Sequence, residues 1–188
     1  NYLTSIDLTG GDVKVNPKDG KAYFTDEYGS TVYRIDTADA DGYCPQIQGQ
    51  NSTQVQSYGN LESWIAFHPV TGRMYAWIYR YVNGTPLNAL SYSDDGGATF
   101  PTDITTVASG PRYSLAVDPS TVGTESAPVI HARILTVSSE GKVFQNGTYV
   151  TTVATNAYNS GIFYHPADAN YVFLGMSGYY SANGGTSF

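Results

Sequence analysis

"IAFHP", Ile65 to Pro69, decides how the rest of the chain is read, because it occurs in four versions. The others are "VKVNP" at Val13 to Pro17, "LAVDP" at Leu115 to Pro119 and "IFYHP" at Ile162 to Pro166. The pattern is apolar, any, apolar, polar, proline, and the prolines stand 52, 50 and 47 residues apart. Self-similarity at such a period marks a repeat architecture and changes the meaning of every residue inside the unit. The pentapeptide ends a short alternating strand. Its Asn, His or Asp can bond nearby backbone, and the proline, with no N–H to give, closes the ladder and starts a turn.

A second strand is expected after each turn, at "KAYFTD", "RMYAWIY", "APVIHARI" and "YVFLGM", and a third at "TVYRID", "ALSYS", "GKVFQ" and "GYYSA". Fourth strands fit "TFPTDITTV" and "TYVTTVA". The unit is a four-stranded meander of about fifty residues, the size of a propeller blade. The predicted fold class is therefore all-β, a β-propeller of about four four-stranded antiparallel blades in a single domain over 1–188, with repeats near 11–59, 60–109, 110–157 and 158–188. The last unit stops at Phe188, where a fourth strand is due, and the chain opens with an orphan strand, "NYLTSIDLT". Residues 1–10 either complete the last blade and close a ring of four, or complete a blade of a larger propeller or of a neighbouring subunit by strand exchange.

Composition agrees. A chain of 188 residues suits one domain that buries roughly 70% of its unfolded surface. Low charge (13%) with 17 Tyr and 20 Gly favours strands and turns, and no helix-length amphipathic segment occurs. A net charge of −7 with nine Lys plus Arg and no basic cluster argues against nucleic acid and anionic membranes as partners. No apolar run approaches a spanning length, and a start at Asn1 without a leader reads as a mature or excised piece. The lone Cys44 has no internal disulfide partner and reads as an ordinary thiol, with pairing to another chain as the sharper alternative. Sequons at Asn51, Asn83 and Asn146 sit in polar, turn-like settings and point to an extracellular glycoprotein.

Between the third and fourth strands of the second unit lies "SYSDDGGATF", Ser91 to Phe100, and the same address in the fourth unit holds "SANGGTSF", Ser181 to Phe188. Aligned, Ser93, Asp95, Gly97, Thr99 and Phe100 correspond to Ser181, Asn183, Gly185, Ser187 and Phe188. This pattern resembles the aspartate box, or bacterial neuraminidase repeat, of sialidases, sortilin-type receptors and xyloglucanase-type glycoside hydrolases. "TADADGY" in the first unit is a degraded version, and the third has only the hairpin "FQNGTY". The physical logic of the box needs no catalysis: Asp or Asn accepts amide hydrogen bonds, Gly supplies positive φ, and the aromatic anchors the turn. Asn183 in place of Asp95 favours that reading, since an amide caps well but is a poor acid or base. Asp94, outside the pattern, reads as a solvated turn residue.

Candidate chemistry is thin. His68 and His165 occupy the pentapeptide position held elsewhere by Asn16 and Asp118, so they read as turn residues, and His131 has no Cys or second His at ligand spacing. Asp36, Asp39 and Asp41 alternate like calcium ligands but lack the Gly and terminal Glu of an EF-hand loop. The resemblance would imply, for a sialidase, an arginine trio, a Tyr paired with Glu, and an acid Asp. Arg34, Arg73, Arg80, Arg112 and Arg133 do not bring the arginine-containing N-terminal motif that accompanies the boxes there. A xyloglucanase-type mechanism would need two carboxylates, about 6.5 to 9.5 Å apart if inverting. Glu62, Asp26 and Glu27 are candidates with nothing to mark a pair, and such hydrolases use much longer chains. There is no Gly-x-Ser-x-Gly motif, phosphate-binding loop or second Cys.

The expected function is thus a non-catalytic extracellular binding or structural module for a glycan or protein, with a glycoside hydrolase, or a fragment of one, as the alternative. Propeller ligands usually meet the loops leading into the innermost strands. Here these carry Glu62, Trp64, Arg112, Tyr113, Tyr158 and Asn159, a mix suited to stacking on a sugar or gripping a peptide, though for Trp64 and Tyr113 packing between blades is the favoured reading. No cofactor is expected.

Overall fold

The computed structural model describes residues 13–25, 32–35, 46–48, 61–108, 113–129, 132–138, 141–153, 161–175 and 178–188. Among these the chain is all-β, with a single 3-10 turn over Pro119–Thr121. Its strands form antiparallel meanders in chain order. The first sheet is β1 (Val13–Val15), β2 (Ala22–Thr25), β3 (Val32–Ile35) and β4 (Gln46–Gln48). The second is β5 (Leu61–Phe67), β6 (Met74–Val82), β7 (Thr85–Ser93) and β8 (Thr102–Ala108). In the third, β9 (Tyr113–Val117) is followed by a small hairpin, β10 (Gly123–Thr124) and β11 (Ala127–Pro128). The meander then resumes as β12 (Ile134–Ser138), β13 (Lys142–Gln145) and β14 (Thr148–Thr152). The fourth has three strands, β15 (Ile162–His165), β16 (Asp168–Leu174) and β17 (Tyr180–Ser181).

The expected second strand of the third unit, "APVIHARI", is corrected by this layout. Ala127 and Pro128 belong to the inserted hairpin, and the strand that pairs with β9 is Ile134–Ser138, Ile134 opposite Val117 and Ser138 opposite Tyr113. Burial explains the choice: all five residues of β12 are buried, as befits a strand packed on both faces, whereas β10 and β11 are exposed.

The pentapeptide turns show why four different sequences give one shape. Asn16 Oδ1 accepts from Lys18 N (2.9 Å), His68 Nδ1 from Val70 N (3.1 Å), Asp118 Oδ1 from Ser120 N (2.8 Å) and His165 Nδ1 from Ala167 N (3.2 Å). In each case the acceptor is two residues before the amide it caps, so any short side chain with an acceptor serves. In the first two units a glycine with positive φ, Gly20 at 70° or Gly72 at 73°, completes the turn by returning its N–H to the capping residue's carbonyl. The β6–β7 and β13–β14 hairpins use Asn-Gly pairs, with φ of 51° and 78° at Asn83 and Gly84 and 48° and 81° at Asn146 and Gly147, as a type I′ turn requires.

Because side chains alternate along a strand, each internal sheet feeds two cores. Met74, Ala76 and Ile78 of β6 join Tyr23 of the first sheet, Ile65 and Phe100, whereas Tyr75 and Trp77 face the other way, onto Leu115 and Ile134 of the third sheet. Ala116, Leu135 and Val137 of the third sheet in turn meet Ile162, Val172 and Leu174 of the fourth. Each large apolar side chain so buried contributes roughly 1.5–3 kcal/mol, and these layers hold the sheets face to face in series. Their first strands run side by side, β1 by β5, β5 by β9 and β9 by β15.

Candidate functional site

The second and fourth sheets end their third strands in the same hydrogen-bonded hairpin. Ser93 Oγ donates to Asp95 Oδ1 (2.7 Å) and accepts from Gly97 N (2.8 Å), while Asp95 accepts from Thr99 N (2.9 Å) and the Thr99 hydroxyl (2.7 Å). In the fourth sheet, Ser181 Oγ donates to Asn183 Oδ1 (2.8 Å) and accepts from Gly185 N (2.9 Å), and Asn183 Oδ1 accepts from Ser187 N (3.0 Å). Only the last bond reverses direction: the Asn183 amide donates to Ser187 Oγ (2.8 Å) where Asp95 accepts. Burial works to raise the Asp95 pKa, but bonds from Ser93 and Thr99 outweigh it and hold the carboxyl below its ordinary range. A carboxylate whose oxygens are both engaged and whose proton is easily lost is a fastener rather than a general acid.

Asp94 is exposed, as the sequence suggests, but it is held. Arg73 donates to it from Nε (2.7 Å) and Nη2 (2.6 Å), and the same guanidinium stacks 3.8 Å from the centre of the Tyr92 ring. The paired acids therefore divide their work: Asp95 closes the hairpin, and Asp94 pins it to the preceding turn.

A concave feature lies elsewhere among the described residues. A cavity of about 350 Å³ is lined by the same three positions of all four pentapeptides: Lys14, Val15 and Pro17; Ala66, Phe67 and Pro69; Ala116, Val117 and Pro119; Phe163, Tyr164 and Pro166. One first strand from each sheet thus contributes to one site. Lys14 Nζ lies 5.4 Å above the Phe163 ring, reaching from the first sheet to the fourth. Among the described residues, no carboxylate, histidine or cysteine lines it. Burial pushes the Tyr164 phenol up, opposed by the nearby Arg133 charge and reinforced by Asp118, and the hydroxyl itself is buried, so this tyrosine stays protonated and offers the cavity its ring rather than a polar contact or a base. Asp118 itself is fully buried and ion-paired with Arg133, with its remaining acceptor capacity taken by Ser120.

The structure gives no side-chain placement for the residues chosen from sequence as ligand contacts. Glu62 and Trp64 lie on β5, Trp64 at its middle, and Tyr113 begins β9; their side chains lie outside the described set. Arg112, Tyr158, Asn159, Asp26, Glu27, His131, Cys44, Asn51 and the Asp36, Asp39 and Asp41 group lie outside the described residues, as do residues 1–10. Among the described residues no cluster of three His, Cys, Asp or Glu is placed to hold a metal ion, and no helix is long and apolar enough to cross a membrane. Asn83 stands exposed at its hairpin tip, whereas Asn146 is half-buried and its Oδ1 accepts from Ile134 N at 2.8 Å. The cavity is built instead from the four pentapeptides. Their second, third and fifth residues line it, positions that sequence reading used only to define the repeat.

No family model and no curated protein matches the chain. Among solved structures, the fold is similar to that of a Bacteroides thetaiotaomicron protein described as a "Putative phosphatase", with 17% sequence identity and a TM-score of 0.54. The likeness covers 88% of this chain and 40% of that one, so the chain spans well under half of that protein's length. At such identity it speaks for the backbone arrangement alone.

Proposed function

We propose that this chain is a non-catalytic, extracellular binding module, an arc of a β-propeller whose sheets are fastened by aspartate-box hairpins, and that it takes a protein ligand in its axial cavity. The observation that carries the reading is the cavity lining: one first strand from each of four sheets, apolar except for Lys14. Such a surface suits an apolar side chain presented beside a carboxylate. A sugar would leave most of its hydroxyls without partners there. Serial meanders packed face to face, with first strands adjacent, support the propeller arrangement. The exposed hairpin at Asn83 supports the extracellular reading, since a glycan there would meet no packed surface.

Binding of the purified chain to immobilised peptides carrying a large apolar residue next to Asp or Glu, run beside a glycan array, tests the proposal. Peptide binding that drops on Lys14→Glu and on Phe67→Ala supports it. Binding confined to glycans, or peptide binding that neither substitution changes, would overturn it.

A further inference from the structure

The three internal sheet-to-sheet packings repeat one plan, and the fourth sheet carries half of it uncovered. On the second strand of each sheet, one residue stands opposite the second residue of the pentapeptide: Tyr23 opposite Lys14, Tyr75 opposite Ala66, Leu135 opposite Ala116 and Phe173 opposite Phe163. The first three are covered by the following sheet and are 2%, 0% and 0% exposed, whereas Phe173 is 42% exposed. Tyr180, opposite it on β17, is exposed as well, and Phe163 on its other side is partly exposed beside Lys14 of the first sheet, so an aromatic row crosses all three strands.

The matching half is open at the other end of the chain. The third residue of the pentapeptide packs backward into the preceding core in three units: Phe67, Val117 and Tyr164 each pack against a buried cluster. Its equivalent in the first unit, Val15, is 61% exposed. The chain therefore presents the two complementary halves of a fourth interface and does not join them to each other at these positions.

From this pairing we infer that the aromatic face of the fourth sheet, centred on Phe173, is a docking surface for the first sheet of a second copy of this chain, seated through Val15. The occupant is chosen by continuity with the three packings inside the chain: the surface that covers Tyr23, Tyr75 and Leu135 is in each case the backward face of the next unit, and the only backward face left uncovered among the described residues is that of the first sheet. The interface is heterologous, so repetition either closes a ring of chains or extends a filament. The inference rests on sheet packing and not on which ligand the cavity takes.

Sedimentation velocity of the 188-residue chain over a wide concentration range tests this. The unmodified chain is expected to associate, and Val15→Asp and Phe173→Asp are each expected to weaken association by at least about tenfold. Both residues are solvent-exposed, so the variants keep the far-UV spectrum of the parent; Tyr180→Asp provides a second disruption of the same face. Mixing Val15→Asp with Phe173→Asp leaves one intact pair of halves and is expected to give a complex that stops at two chains. A chain that remains monomeric at the highest concentration overturns the inference, as does association that none of the three substitutions weakens.

Discussion

Asn183 stands to Ser181 as Asp95 stands to Ser93, with side-chain contacts of 2.8 and 2.7 Å and the same two backbone amides captured behind them. The carboxylate is thus replaceable by an amide without changing the hairpin. Asp95→Asn is expected to cost little, whereas Asp95→Ala, which removes the partner of the Ser93 hydroxyl and the Thr99 amide, should lower unfolding free energy by about 0.5–1.5 kcal/mol in denaturant titrations.

Acid sensitivity follows from the same residue. A carboxyl whose folded pKa is depressed adds stability that is fully present above its unfolded value, about 3.9, and is lost as pH falls through the folded value. Asp95→Asn should remove that component. Its midpoint denaturant concentration should fall less steeply below pH ~4 than that of the parent.

Tyr75 sets an opposite trend in alkali. Burial raises its phenol to about 12, against a weaker pull downward from the Ala132 backbone. A raised folded value means stability that is intact below the unfolded value of about 10 and is lost as pH climbs toward the folded one. Tyr75→Phe should flatten that alkaline limb, which a pH series of thermal unfolding would record.

The two arginine pairs should differ in consequence. Arg133 serves Asp118, which is fully buried, so Arg133→Ala leaves an uncompensated interior carboxylate and is expected to cost about 3–5 kcal/mol. Arg73 serves the exposed Asp94, and Asp94→Ala is expected to cost under about 1 kcal/mol. Equal losses from the two variants would contradict this assignment.

Glycines at positive φ offer a further contrast. A methyl group on Gly185 (φ 88°) would come within 2.3 Å of Leu135 Cδ1, across the packing between the third and fourth sheets, whereas one on Gly178 (φ 70°) would meet nothing within 4 Å. Gly178→Ala should show only the backbone cost, about 1 kcal/mol. Gly185→Ala should add the overpacking cost, about 1–3 kcal/mol more.

The meanders were legible from sequence because their signals are local. Proline position, Asn-Gly turns and two-residue alternation placed β1, β2, β5, β6 and β7 near their observed positions. The third unit misled because "APVIHARI" has strand composition, yet Glu125 and Ser126 fold it back into a hairpin, and the core selects "ILTVS" instead. Propensity lost to burial there. The cavity was not legible for a different reason. Lys14, Phe67, Phe163 and Tyr164 are ordinary strand residues one by one, and only the convergence of four first strands makes them a site. Asp94 and Arg73, 21 residues apart, meet through the same kind of non-local pairing.

The pentapeptide turn asks only for an acceptor two residues before an amide, and Asn16, His68, Asp118 and His165 meet that demand equally. The turn itself then constrains geometry and leaves the choice of acceptor to the surroundings, as the Arg133 partner of Asp118 shows. A chain built this way can drift far in its letters while its backbone stays put, each repeat even diverging from its siblings within one molecule. Kinship among such proteins is better sought by shape, and by the spacing of acceptors and glycines, than by residue matching.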